Sequence, residues 1–192
     1  MSNIKSKDEM RPENDNRVFI GIDPGKSGGC GVIVIEDGIE TSINFKFPKD
    51  DISLLSVGLM ALIPQGFSLE DVHVLVEHVH AFPKQGAVST FSFGQNLGHW
   101  EGTLYANEFD FSYVNPKEWI YWYGIPKGLD KKKRKRLLLE KAKELFPNMK
   151  ITFNVSDAML IANYCMEMYY KGKWELDNVI LPEVMSKVKG RK

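Results

Sequence analysis

Two almost wholly apolar, β-branched runs, Arg17–Asp23 (RVFIGID) and residues 31–36 (GVIVIE), are separated only by a glycine-rich turn that opens with Pro24-Gly25. Runs without polar alternation read as buried strands, which require cover on both faces. Asp37-Gly38 then signals a two-residue hairpin into a third strand, 39–47. The fold therefore opens with three antiparallel strands. Ile52, Leu55, Leu59 and Leu62 predict a helix over 51–63, stopped by Pro64-Gln65-Gly66. A strand over 72–76 (VHVLV) delivers Glu77 at its end. Beyond a loop at 82–86, the pattern predicts a helix over 89–106, a strand over 109–114 and a short aromatic helix over 117–123, capped by Asn115-Pro116. Helices over 130–146 and 156–170 complete the order βββ-α-β-α-β-α-α-α. Gly94, Gly98 and Gly102 share one helix face, which predicts a closely packed neighbouring backbone. No linker divides the chain: one domain spans 17–180, between a disordered polar arm (1–16) and a mobile basic tail (181–192).

Charge narrows the function. The 192 residues carry 25 Lys+Arg and 25 Asp+Glu, a net charge of zero. Residues 127–143 nevertheless hold nine basic residues against Asp130 and Glu140, a local +7 that leaves −7 elsewhere. A polyanion partner is compatible with that segregation if it meets one face. Six consecutive cations, Lys131, Lys132, Lys133, Arg134, Lys135 and Arg136, cover more than a helix turn, and together with Lys127 they are candidate phosphate contacts. No apolar run approaches the roughly 18 residues of a membrane helix, and residues 1–16 lack the apolar segment of a signal peptide. These features predict a cytoplasmic protein without a membrane partner. Cys30 and Cys165, far apart and outside CxxC spacing, fit a reducing compartment as small buried hydrophobes. The turn at 24–29 lacks P-loop spacing, so no nucleotide cofactor is expected.

Three acids stand where strand and helix patterning does not need them. Asp23 ends one buried strand, Glu77 ends another, and Asp157 opens an apolar helix three residues after Asn154. Residues three apart on a helix share a face, so Asn154 and Asp157 can point at one spot. Carboxylates converging at strand ends repel one another unless a cation lies between them, and hard oxygen donors suit Mg²⁺ or Mn²⁺. Each acid alone also has an ordinary reading, as a turn residue, a solvated strand end or a first-turn acid favoured by the helix dipole. His78 and His80 flank Glu77 at alternate positions, although oxygen-ligand sites seldom use imidazole.

GIDPGKSGGCGVIVI (21–35), VLVEHVHAFPKQGAVSTFSFGQNLG (74–98), the DKKK helix start (130–133) and SDAMLIA (156–162) resemble the RuvC-like Holliday-junction resolvases, in their phage-borne and plastid-type branch. The resemblance implies an α/β fold of ribonuclease-H-like type, with a mixed five-stranded sheet, three antiparallel strands first, flanked by helices. It also implies a homodimeric endonuclease acting on four-way DNA junctions, with Asp23, Glu77 and Asp157 as metal ligands. Two ions about 3.5–4 Å apart would clamp the scissile phosphate. Asp23 would bridge them, Glu77 would hold one, and Asp157 with Asn154 would hold the other. Lys132 or Lys133 would offset transition-state charge, while Phe82 and Lys84, in the loop after Glu77, would meet DNA at the junction.

One departure from the family pattern matters. Two acids are implied at the start of the last helix, and the first of these positions holds Asn154. An amide oxygen can ligate Mg²⁺ but brings no charge. A working natural variant, a ligand supplied from elsewhere and a deliberate Asp→Asn change all fit. A junction-binding protein without catalysis, and a nuclease of the same fold acting on flaps, forks or hybrids, therefore stand as alternatives. An actin-like ATPase would need a second phosphate loop that this chain lacks.

Overall fold

The computed structural model describes residues 15–25, 27–79 and 86–173. Five strands form one mixed sheet in the order β3-β2-β1-β4-β5. β1 (Arg17–Asp23), β2 (Gly29–Glu36) and β3 (Ile39–Lys46) make the antiparallel meander, while β4 (Val72–Glu77) and β5 (Phe111–Val114) run parallel to β1. β1 and β2 are buried along nearly their whole length because helices cover both faces. The Asp37-Gly38 turn carries positive φ at both residues, 49° and 78°, as a tight hairpin requires.

α1 (Leu54–Ala61) and α2 (Ala87–Ala106) cover one face, where Val32, Val74, Leu59, Trp100 and Leu104 share a core. α3 (Pro116–Trp122), α4 (Lys131–Leu145) and α5 (Ser156–Tyr170) cover the other, around Phe19, Ile33, Leu75, Trp119 and Leu138. Two N-caps have the expected chemistry. The Asn115 side chain accepts from Lys117 N ahead of Pro116, and the Asp130 carboxylate accepts from Lys132 N and Lys133 N.

Element order and type match the sequence expectation; the differences are local. α1 begins at Leu54 rather than 51 because Asp51 accepts from the Ser53 backbone and hydroxyl, a side-chain turn that competes with helix. A 3₁₀ turn at Leu69–Asp71, closed by a Ser68/Asp71 capping box, precedes β4 and adds an element to the expected order. Asp15 and Asn16, assigned to the arm, are tied down: Tyr170 donates to Asp15, and Asn16 accepts from Asp37 N. The rest of the arm, the tail, His80, Phe82 and Lys84 lie outside the described residues.

The glycine stripe on α2 is a correction. Among the described residues, a Cβ added at Gly94, Gly98 or Gly102 would meet nothing within 4 Å. α2 docks on the sheet through Trp100 and Leu104 on its opposite side, so the stripe faces outward. The close backbone contact lies elsewhere, where α5 crosses Gly21 and Gly31. Cys30 and Cys165 are free and buried, with thiols pushed up by burial. Among the described residues no helix is long and apolar enough to cross a membrane.

Candidate active site

The site begins with the β1–β4 register. Ile22 pairs with Val76, so the next residues, Asp23 and Glu77, end adjacent parallel strands. Alternation along both strands places them on the α5 face together with Gly21 and Leu75. Gly21 and Gly31 face each other across β1 and β2, and their missing side chains leave a slot for the α5 backbone. A Cβ on Gly21 would lie 2.2 Å from Ala162 N, and one on Gly31 would lie 2.7 Å from Met159 N. This contact seats the first turn of α5 over the strand ends and brings Asp157 to Asp23.

Each carboxylate is held by a different partner. Asp23 accepts from Gly25 N at 2.9 Å. Gly28 packs so tightly beneath it that a Cβ there would lie 2.8 Å from the Asp23 Cγ. Glu77 accepts from the indole N–H of the buried Trp119 at 3.2 Å. Asp157 accepts from the Ser156 hydroxyl at 3.1 Å, and its Oδ2 lies 3.6 Å from Lys135 Nζ.

Burial and mutual repulsion push these acids up. Desolvation and the nearby Asp157 raise Asp23 to about 6. Desolvation, Asp23 and Asp157 raise Glu77 to about 8, against the opposing Trp119 hydrogen bond and Lys135. Desolvation also raises Asp157, although Lys135 and Arg134 oppose it. Raised acids bind more protons folded than unfolded, so their contribution to stability is complete near pH 4 and is lost as pH rises toward about 8. His73 acts the other way below about 6.5, because burial holds it neutral in the fold. The opposing slope of His73 fades within about one pH unit above 6.5, so the acids dominate the change between about pH 6.5 and 8.5. There the melting temperature of the full chain in EDTA should fall by about 3 °C or more, and Glu77→Gln should flatten the slope. A flat profile for the unaltered chain would contradict the repulsion.

Neither a protein-family profile nor a curated protein sequence matches this chain. Solved structures do. RuvC of T. thermophilus in complex with a Holliday junction substrate aligns at a TM-score of 0.54 and 16% identity, over 81% of this chain and 97% of that one. A second Thermus thermophilus RuvC structure aligns at 0.51 and 14%, over 81% and 95%. This chain has the RuvC fold. The mixed sheet with three antiparallel strands first is thereby matched along nearly the full length of both RuvC chains.

On the RuvC fold assembled here, the carboxylates occupy the carboxyl ends of two parallel strands, where open α/β sheets present their sites. As donors they suit a hard divalent ion. Among the described residues no group of three or more His, Cys, Asp or Glu is placed to hold one metal ion, but Mg²⁺ usually takes one or two carboxylates and completes its shell with water and phosphate oxygens. The donor set fits that mode of binding.

The remaining predicted residues differ in placement. Asn154 lies half-buried in the turn before α5, where Val155 N and Ser156 N both bond Thr152 O and the helix starts at Ser156. The lysine that reaches the carboxylates is Lys135, not Lys132 or Lys133. Lys135 lies one turn before the buried Leu138 and two before Ala142, on the face of α4 turned toward α5. Lys131, Lys132 and Lys133 are exposed, with Lys133 3.7 Å from Asp130. Arg136 pairs with Glu140 at 2.9 Å, and Lys127 lies 5.0 Å from the Tyr121 ring centroid. His78 packs its ring on Tyr113, 5.1 Å between centroids.

Sequence reasoning missed Gly21, Gly31 and Trp119 as parts of the site. The glycines carried a signal: the hairpin register opposes them, and Ala158 and Ala162 supply small residues four apart on α5. Trp119 carried none, since its indole is matched to Glu77 only by the tertiary fold.

Proposed function

We propose that this chain is a metal-dependent endonuclease that cuts branched DNA, with four-way junctions as its substrate, and acts as a homodimer. The observation that carries the reading is the buried carboxylate group of Asp23, Glu77 and Asp157, set beside a basic helix on the RuvC fold. Those three side chains would hold two Mg²⁺ or Mn²⁺ ions. The ions, when bound, supply Lewis acidity toward the phosphodiester and lower the proton affinity of a water nucleophile. The chain's own groups fix the donors: Gly25 N–H holds the Asp23 carboxylate, and the Trp119 indole holds that of Glu77. Lys135 adds positive charge beside Asp157, near enough to act on Asp23 and Glu77 as well.

The assay is cleavage of synthetic junction, fork, flap and hybrid substrates in Mg²⁺ and Mn²⁺ at fixed salt. Junction cutting into paired nicks supports the reading, and the absence of cutting on any of them defeats it. Asn154 favours a second reading, a junction-binding protein without catalysis. Binding without cleavage, together with cutting restored by Asn154→Asp, would establish it. Lys135→Ala should slow single-turnover cleavage about 10²-fold, while Lys132→Ala and Lys133→Ala should each change it by less than about 3-fold, since those groups face solvent. Equal effects for all three would remove Lys135 from its role.

For the homodimer, α2 offers the surface. Val88 (82% exposed) and Phe91 (73%) stand on the same uncovered side as the glycine stripe. Two-fold symmetry would give a four-armed substrate two matched sites. Gly98→Glu should convert the dimer to a folded monomer in sedimentation analysis; an unchanged mass would move the interface elsewhere.

A further inference from the structure

We propose that the cleft between β3 and the α4–α5 turn is a subsite for a backbone phosphate of the nucleic-acid strand that reaches the carboxylates. The inference rests on the nuclease reading above and adds a contact on the opposite side of the site from the basic helix start. The cleft encloses about 440 Å³, with Ser42, Asn44 and Lys46 on β3 facing Met149, Lys150 and Thr152 of the turn.

Register fixes its position. Asp23 pairs with Gly29, and Gly29 pairs with Lys46, so Lys46 lies two strands across from Asp23 in the same row. Asn44 likewise pairs with Gly31, whose absent side chain faces α5. The cleft therefore opens on the face that carries the carboxylates. Two strand spacings of about 4.8 Å put Lys46 about 10 Å from Asp23, a separation that a nucleic-acid backbone covers within a few nucleotides. A strand with one phosphate at Asp23 would present another near Lys46.

The lining suits an anion. Lys46 and Lys150 are both exposed, and among the described residues neither forms an ion pair. Asn44 donates its amide to the Met149 thioether at 2.8 Å, a weak acceptor that a phosphate oxygen outcompetes. The Thr152 hydroxyl at the cleft floor is buried with no hydrogen-bond partner among the described residues. Two cations and two under-used polar groups line a cleft roomy enough for a backbone phosphate and its sugar, without carboxylates in its lining.

The test is equilibrium binding of a synthetic four-way junction by the full chain in Ca²⁺, from 50 to 200 mM salt. Lys46→Ala/Lys150→Ala should weaken binding about ten-fold at low salt. It should also make the slope of log K against log salt shallower by about 0.9 for each phosphate that the variant no longer neutralises. Melting temperature should not change, because both side chains are exposed. A matched pair, Lys117→Ala/Lys173→Ala, removes the same charge from exposed positions outside both the cleft and the basic segment and should leave the slope intact. An unchanged slope for the cleft variant, or an equal loss in the matched pair, overturns the subsite while leaving the nuclease reading standing if the unaltered chain binds and cuts. If the unaltered chain binds no junction, both fail together.

Discussion

Asp23→Asn is expected to lower junction cleavage by at least about 10³-fold in Mg²⁺ or Mn²⁺, with junction binding in Ca²⁺ or EDTA retained. Asp23 stands between the other two acids: it feels Asp157, and it raises Glu77. Removing its charge takes away the carboxylate proposed to hold both ions. The replacement is nearly isosteric, and its amide oxygen can still accept from Gly25 N, so the turn below it is preserved. Stability separates this effect from misfolding. Burial penalises the Asp23 carboxylate in the metal-free fold, so the neutral amide should hold or raise the melting temperature in EDTA. Full cutting by a folded Asp23→Asn protein would sink the assignment.

Gly21→Ala carries the second large effect. The added carbon would lie 2.2 Å from Ala162 N and 2.3 Å from Ala158 O, both backbone atoms in the middle of a buried helix. No side-chain rotation relieves such a clash. α5 must lift from the sheet or β1 must bend, and either movement opens the core shared by Phe19, Ile33 and Leu160. A loss of about 3 kcal/mol or more follows, or about 6–12 °C in melting temperature for a chain of this size. Cleavage should fall further than stability does, because Asp157 rides on the displaced helix. The contrasting substitution is Gly58→Ala, which replaces a helical glycine of α1 and brings the new carbon only to ordinary contact with the Phe45 ring, 3.7 Å away. It should stabilise by about 0.5–1 kcal/mol. Comparable melting temperatures for the two variants would deny the slot its role.

The sheet was legible because its signals are local. Unbroken β-branched runs marked β1 and β2, Asp37-Gly38 set their meander, and Glu77 ended the next apolar run. Asp23, Glu77 and Asp157 stood out as acids at the ends of buried elements, and the structure brings those three together. What stayed hidden depends on tertiary distance or on helix phase. Lys135 is one cation among six in a row, and only the packing of Leu138 and Ala142 on α5 selects it over Lys132 and Lys133. The glycines of α2 and those of the β1–β2 pair look alike in sequence. Helix phase turns the first set outward, and strand register turns the second into a slot. Asn154 precedes the last helix rather than opening it, because the Thr152 carbonyl sets that start two residues later than the spacing argument needs.

The chemistry of Cys30 and Cys165 has a practical side. Both thiols are fully buried and pushed well above their ordinary titration range, so neither presents a thiolate to an electrophile under native conditions. The native chain is therefore a silent background for maleimide labelling. A single cysteine introduced at an exposed position away from α2, such as Gln65, would be the one reactive thiol in the chain. A dye pair placed that way would test the proposed dimer by subunit exchange, with no native cysteine to remove first.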